Sequence, residues 1–215
     1  VEYILLIEND IGKRISSIVV MGIGEPFDNY VNLMDFIRII NDPKGISIGA
    51  RHITVSTCGL VPKIYEFSKE DLQVNLALSL HAPNDEIRNQ IMPINKAYNI
   101  SEVIKAIKDY IKKTNRRVTI EYVMLEGVND SKECAVELSK LLKGLNVNVN
   151  MIPYNETNHL EFSQSNKKKI DEFYDTLVKN KINVTVRRRF GSNIDAACGQ
   201  LRSKEEEKNE NILFN

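Results

Sequence analysis

Residues 15–26 read ISSIVVMGIGEP, from Ile15 to Pro26, and this stretch decides the fold. The apolar run 15–21 is stopped by Gly22, Gly24 and Pro26. A short continuous apolar run bounded by glycines reads as a strand buried in a parallel sheet. Directly after it, Val31, Leu33, Met34, Phe36, Ile37 and Ile40 recur at helical spacing up to Asp42-Pro43. A strand, a glycine turn and a helix therefore follow one another.

The same unit recurs along the chain. Residues 52–57 form a second strand closed by Cys58-Gly59, and residues 61–67 a short helix with Pro62 in its first turn. A third strand, 74–80, ends at Ser79-Leu80-His81, and Asn84-Asp85-Glu86 starts a helix with acids in its first turn. Asn99 with Glu102 forms a capping box for a helix burying Val103, Ile104, Ile107, Tyr110 and Ile111. Residues 118–125 make a fourth strand; Asp130, with Glu133 after it, caps a helix whose apolar face is Cys134, Leu138, Leu141 and Leu142. A fifth strand (147–152), an amphipathic helix around residues 170–177 and a sixth strand (182–186) lead into Arg187, Arg188 and Arg189. Regular alternation of strand and helix predicts an α/β fold of βαβ units on a parallel sheet. Right-handed crossovers bring all strand C-termini to one face, which becomes a mouth if the sheet curls into a whole or partial barrel.

Composition limits the alternatives. The 215 residues can hold one sizeable core; 42% are hydrophobic and 27% charged, as in an ordinary globular protein. Lys plus Arg equals Asp plus Glu at 29 each, so net charge implies no polyanionic partner, and lysine clusters such as Lys167 to Lys169 read as solvated helix ends. No apolar run approaches the roughly 18 residues of a membrane span, and the N-terminus has no signal-peptide pattern. The first residue is Val1, and residues 1–7 read as the last turns of a helix, so an N-terminally incomplete protein is expected. Three widely separated cysteines, Cys58, Cys134 and Cys198, fit a reducing cytoplasmic setting and form no metal-binding spacing. Residues 1–201 are expected to be one domain, and 202–215, charged and Asn-rich, a disordered tail.

The residues just after each strand are Gly24-Glu25, Ser56-Thr57-Cys58, Ser79-Leu80-His81, Met124-Leu125-Glu126 and Asn155, with Cys198 beyond the sixth strand. A carboxylate can hold an ammonium group, while hydroxyls and an amide can bind ribose or a carboxylate. With no Walker loop or GxGxxG, this rim suits a zwitterionic nucleoside better than a phosphate. Each residue also has a plain structural reading. Cys134 is expected in the core, Cys58 in a loop, His52 in a structural position and His159 in a polar loop without a role. His81 reads equally as a hydrogen-bonded strand end, and Tyr154 as packed or as a base-stacking ring. Cys198 in IDAACGQL is sterically open, yet a lone cysteine is commonly a small, inert hydrophobic residue.

In order along the chain, MGIGEPFDNY, RHITVSTCGLVPKI, LALSLHAPNDEIRNQIMPIN, VTIEYVMLEGVND, NMIPYN and IDAACGQL resemble the radical S-adenosylmethionine RNA methyltransferases of the RlmN type. The resemblance implies a partial (βα) barrel and methylation of C2 of an adenine in 23S ribosomal RNA and in certain transfer RNAs. It implies that Gly24 and Glu25 bind the methionyl amino group of S-adenosylmethionine. Ser56, Ser79, Leu80, His81 and Asn155 would hold the rest of that cofactor. Cys198 would accept a methyl group by nucleophilic displacement, after which a 5′-deoxyadenosyl radical activates that methyl for addition to adenine. Adenine C2 is not nucleophilic, which is why a thiolate must take the methyl first. Arg187 to Arg189 would favour the thiolate, contact RNA phosphate or simply be exposed strand-end charge. A flavodoxin-type electron donor and a monomeric state complete the implied picture.

The departures from the family pattern are also clear. The CxxxCxxC that holds a [4Fe-4S] cluster is absent, as are the preceding resolving cysteine, the first strand with its cluster loop and an accessory domain. These 215 residues are therefore expected to be inactive alone, with no metal ligands of their own. Two other readings stand beside this one. A Cfr-type enzyme methylates C8 instead, and Pro26 in MGIGEPFDN favours the C2 type because the Cfr type usually has Ala there. The other is a non-catalytic module that binds S-adenosylmethionine or RNA.

Overall fold

The computed structural model describes residues 1–21, 24–155 and 162–187. Helix α1 spans Glu2–Ile11 and ends at Gly12 in the left-handed conformation. Six strands follow, β1 (Ile18–Val20), β2 (Ile53–Thr57), β3 (Asn75–Ser79), β4 (Val118–Met124), β5 (Val147–Pro153) and β6 (Asn183–Val186). They form one sheet in the order β1-β2-β3-β4-β5-β6, with every neighbouring pair parallel. Between them lie α2 (Tyr30–Asn41), α3 (Val61–Phe67), α4 (Asp85–Ile91), α5 (Ile100–Thr114), α6 (Lys132–Leu142) and α7 (Lys167–Lys179). Spatial order follows chain order, as single-step crossovers produce in a partial (βα) barrel.

Each strand alternates. On one face Ile53, Val55, Leu76, Leu78, Ile120, Tyr122, Val149 and Met151 are fully buried against the helices. Between them stand Thr54, Ser56, Asn75, Ser79, Thr119, Glu121, Asn148 and Asn150, facing the other way. The helices cover one face and leave a polar one. The expectation of a buried strand over residues 15–21 is corrected: β1 is only Ile18–Val20, and Val19 is 56% exposed at the sheet edge. Among the described residues no helix is long and apolar enough to cross a membrane.

Local chemistry fixes the helix starts. Asn99 and Glu102 make the expected capping box of α5, each side chain accepting from the other's backbone N–H at 3.0 Å. Asn84 caps α4 through Ile87 N. The cap of α6 is Ser131, whose hydroxyl accepts from Cys134 N; Asp130 instead accepts from Gly127 N and pairs with Lys169. Asp130 thus serves the turn before the helix, which a spacing rule alone does not reveal. In α2 the buried positions are Tyr30, Leu33, Met34, Ile37 and Ile40, while Val31, expected on the apolar face, is 72% exposed. Cys134 is buried as expected. His159 and residues 202–215 lie outside the described residues.

Replacing Asn99 with Ala removes the acceptor for Glu102 N at the start of the 15-residue helix α5. Urea unfolding of the variant is expected to show a loss of about 1 kcal/mol with an unchanged m-value.

Candidate active site

The loops that follow β1 and β2 meet around one carboxylate. Glu25 lies just past β1 as the N-terminal cap of a 3₁₀ turn, Pro26–Asn29, with its Oε1 accepting from Phe27 N at 3.1 Å. Pro26 supplies the preset φ that starts this turn. The other oxygen, Oε2, accepts from Cys58 N at 2.7 Å and so joins the β1 loop to the end of β2. Gly24, at φ 93, has nothing within 4 Å of where a Cβ would stand. Its backbone is thus both left-handed and open to close approach by a ligand.

Ser56 on β2 and Ser79 on β3 project from the same sheet face, and their hydroxyls are 3.4 Å apart. Ser79 also shares a register line with Glu121, Asn150 and Thr185 across β4, β5 and β6. Glu121 is 4% exposed and accepts from Asn150 Nδ2 at 2.8 Å; burial raises its pKa, and Asn150 and Arg187 oppose the rise. A polar row therefore crosses the sheet beneath the strand ends.

His81 sits at φ 59, unusual for a residue with a Cβ, and is pinned from several sides. Its N–H donates to Glu121 O, its carbonyl accepts from Asn129 Nδ2, and its ring Nδ1 accepts from Val123 N at 3.2 Å. An accepting Nδ1 fixes the neutral tautomer with the proton on Nε2. Desolvation and the nearby Arg88 charge lower its pKa to about 4. The imidazole is therefore a neutral Nε2–H donor at pH 7. Leu80, beside it, has its side chain in the core, its N–H on Glu121 O and its carbonyl on Arg88 Nε.

Burial, then a hydrogen bond to Glu25, raises the Cys58 thiol to about 12. It stays protonated at neutral pH and is a poor nucleophile. Asn155 is exposed just past β5. Tyr154 packs edge-on against Phe162 at 6.4 Å, which favours the packing alternative over base stacking. Cys198, Arg188 and Arg189 lie outside the described residues.

Two organising residues were not singled out from the sequence. Arg88, fully buried on α4, donates to the carbonyls of Cys58, Ser79, Leu80 and Tyr98 and to Asn95 Oδ1. Gly59, at φ 106, makes room for it: a Cβ there would lie 3.3 Å from Arg88 Nη2. Asn129, also fully buried, ties Leu125 N, Val123 O and His81 O together. Arg88 stands in a largely polar segment (DEIRNQI) that does not mark it as buried, and an Asn in the turn after β4 was the only other sequence signal.

The family model described as the radical SAM superfamily matches residues 1–138. A probable dual-specificity RNA methyltransferase RlmN of Spiroplasma citri is 61% identical over 194 residues, 90% of this chain and 56% of that protein. The corresponding protein of Acholeplasma laidlawii is 57% identical over 204 residues, 95% of this chain and 60% of that protein. The chain thus spans somewhat over half the length of these curated relatives. The solved structure of a radical SAM methyltransferase from Sphaerobacter thermophilus aligns with a TM-score of 0.88 at 46% identity, over 91% of this chain and 57% of that one. A domain of a pyruvate-formate lyase-activating enzyme from Bacteroides vulgatus shares the fold, with a TM-score of 0.63 at 15% identity over 80% of this chain and 99% of that domain.

The His81 pKa carries a pH signature. Its folded value lies below the usual 6.5, so the unfolded chain binds the extra proton and stability falls as pH drops from about 6.5 toward 4. In His81→Asn the amide oxygen can replace Nδ1 as acceptor and Asn tolerates the left-handed backbone. Denaturant titrations at pH 7 and pH 4 should show a smaller acid loss in the variant, by up to about 3 kcal/mol.

Proposed function

Because the chain belongs to the radical SAM superfamily, we propose that it is the cofactor-binding and methyl-carrying part of an RlmN-type RNA methyltransferase. Its substrate would be C2 of an adenine in 23S ribosomal RNA and in certain transfer RNAs. The observation that carries this reading is the meeting of Glu25, Ser56, Ser79 and a neutral His81 at the C-terminal ends of adjacent parallel strands. The relatives at 57% and 61% identity supply the RNA-directed part of the proposal.

The residues present fit S-adenosylmethionine. Glu25 is anchored by two backbone N–H groups, each on a different oxygen, and offers its remaining lone pairs to an ammonium group. The open backbone of Gly24 admits the same group at close range. Ser56 and Ser79 present hydroxyls that donate or accept toward a carboxylate or ribose. His81 donates from Nε2 and carries no charge to repel a sulfonium. Asn155 would close the far side with its amide, and Leu80 sets the spacing between Ser79 and His81. When bound, S-adenosylmethionine supplies both the methyl group and the radical that activates it.

Cys198 is assigned the nucleophile. Its thiolate would form the new carbon–sulfur bond as the sulfonium–methyl bond breaks, with the electron pair leaving on the cofactor sulfur. Cys58 is unsuited to that role, because its thiol is raised to about 12 beside Glu25. The residues do not fit a [4Fe-4S] cluster. Among the described residues no group of His, Cys, Asp or Glu could hold a metal ion, and the sequence has no CxxxCxxC. Residues 1–201 are taken as the functional unit.

Calorimetric binding of S-adenosylhomocysteine to the chain should weaken at least tenfold in Glu25→Gln, which keeps the shape but loses the charge. Within a full-length enzyme that carries this sequence, Cys198→Ala should abolish methyl transfer to RNA; an active Cys198→Ala protein would sink the reading. Mass spectrometry of the modified RNA should place the methyl on C2, and a C8 product would move the protein to the Cfr type. Anaerobic reconstitution of the 215 residues alone should give no stoichiometric cluster and no activity.

A further inference from the structure

The opposite edge of the sheet, where the strands begin, carries a second polar cleft of about 720 Å³. It is lined by residues that open β2, β3 and β4 (Thr54, Asn75, Thr119) and by three arginines, Arg51, Arg116 and Arg117. No acidic residue lines it. Among the described residues no ion pair involves any of the three arginines.

The arginines are held but not neutralised. Arg51 Nε donates to Gln73 Oε1 at 2.8 Å, and its carbonyl accepts from Asn75 Nδ2 at 2.7 Å. Asn75 Oδ1 in turn accepts from Arg116 Nη2 at 2.7 Å. A single amide therefore bridges two guanidinium-bearing residues and fixes their spacing. The Nε of Arg116 is buried and has no partner. An unsatisfied N–H on a charged group is costly. Burial lowers the Arg116 pKa, Tyr110 opposes that shift, and the like charge of Arg51 adds to it. A neutral ligand would leave that repulsion in place; an anion with several acceptor oxygens removes it.

We propose that this cleft is a phosphate-binding site, separate from the mouth. Guanidinium forks match phosphate oxygens geometrically, and the flanking Thr and Asn groups suit ribose hydroxyls. The cleft is larger than one phosphate needs, so a nucleotide or a run of RNA backbone fits the same chemistry. The RNA-directed reading above bears only on which of these sources applies; the site itself does not rest on methyl transfer.

The test uses the chain with no cluster and no turnover. Inorganic phosphate and adenosine monophosphate are titrated while the Arg Nε–H signals are followed by NMR, and a labelled mixed-sequence oligoribonucleotide is followed by anisotropy. The Arg116 Nε–H signal should shift on saturation. The double variant Arg51→Gln with Arg117→Gln, both exposed positions, should weaken binding about tenfold. If RNA is the source, that variant should also flatten the slope of log affinity against log salt by about 1.4, or roughly 0.7 per lost phosphate contact. Arg116→Lys should restore more affinity than Arg116→Gln, with thermal melts confirming that each variant folds. Binding of the small phosphates alone keeps the site and assigns it to a free nucleotide. Absence of binding by all three probes, or binding unchanged in the arginine variants, overturns the proposal.

Discussion

A guanidinium buried without a carboxylate beside it is a severe demand on a fold, and Arg88 makes that demand at the centre of this one. Taking a cation out of water costs several kcal/mol unless its donors are satisfied. Here they are met by neutral oxygens: the carbonyls of Cys58, Ser79, Leu80 and Tyr98 and the Asn95 amide. Asp85 makes no hydrogen bond to the guanidinium; its charge favours the cation, and its Oδ1 accepts from Asn95 Nδ2 at 2.9 Å. Most of these acceptors lie at the C-terminal ends of β2 and β3, where no further ladder partner is available. One side chain therefore closes two strand ends, and a glycine suits position 59 because its φ of 106 strains any side chain and a Cβ would crowd Val103 and Arg88.

The mouth inherits its geometry and its charge state from that arrangement. Cys58 accepts from Arg88 through its carbonyl and donates to Glu25 through its N–H, so the β1 loop is tied to α4 by two hydrogen bonds through one residue. The Arg88 charge also helps keep His81 neutral. On the other side of His81, Asn129 holds its carbonyl and the turn after β4. The polar groups assigned to the cofactor are thus fixed by others that face away from it. Preorganisation of this kind favours binding, because little ordering remains when the ligand arrives.

The two edges of the sheet differ in kind. At the C-terminal edge the Glu25 carboxylate and neutral polar groups gather above the row that holds buried Glu121, suited to a small zwitterion. At the N-terminal edge three arginines meet with no acid among the lining residues. The balance of 29 basic and 29 acidic residues over the whole chain hides this separation completely.

Much of this was legible in the sequence. Alternating strand and helix, the parallel order, the Asn99 capping box and the positions of Glu25, Ser56, Ser79 and His81 at strand ends all follow from periodicity and turn chemistry, which are local. The strand after Ile15 was overread because an apolar run does not say how many of its faces will be covered. Only the tertiary structure decided that Ser131 rather than Asp130 caps α6, that Cys58 is protonated and that Arg88 faces inward. It alone brought Arg51 and Arg116 together. Those outcomes depend on burial and on charges distant in sequence, and neither desolvation nor a through-space field has a period that a sequence can display.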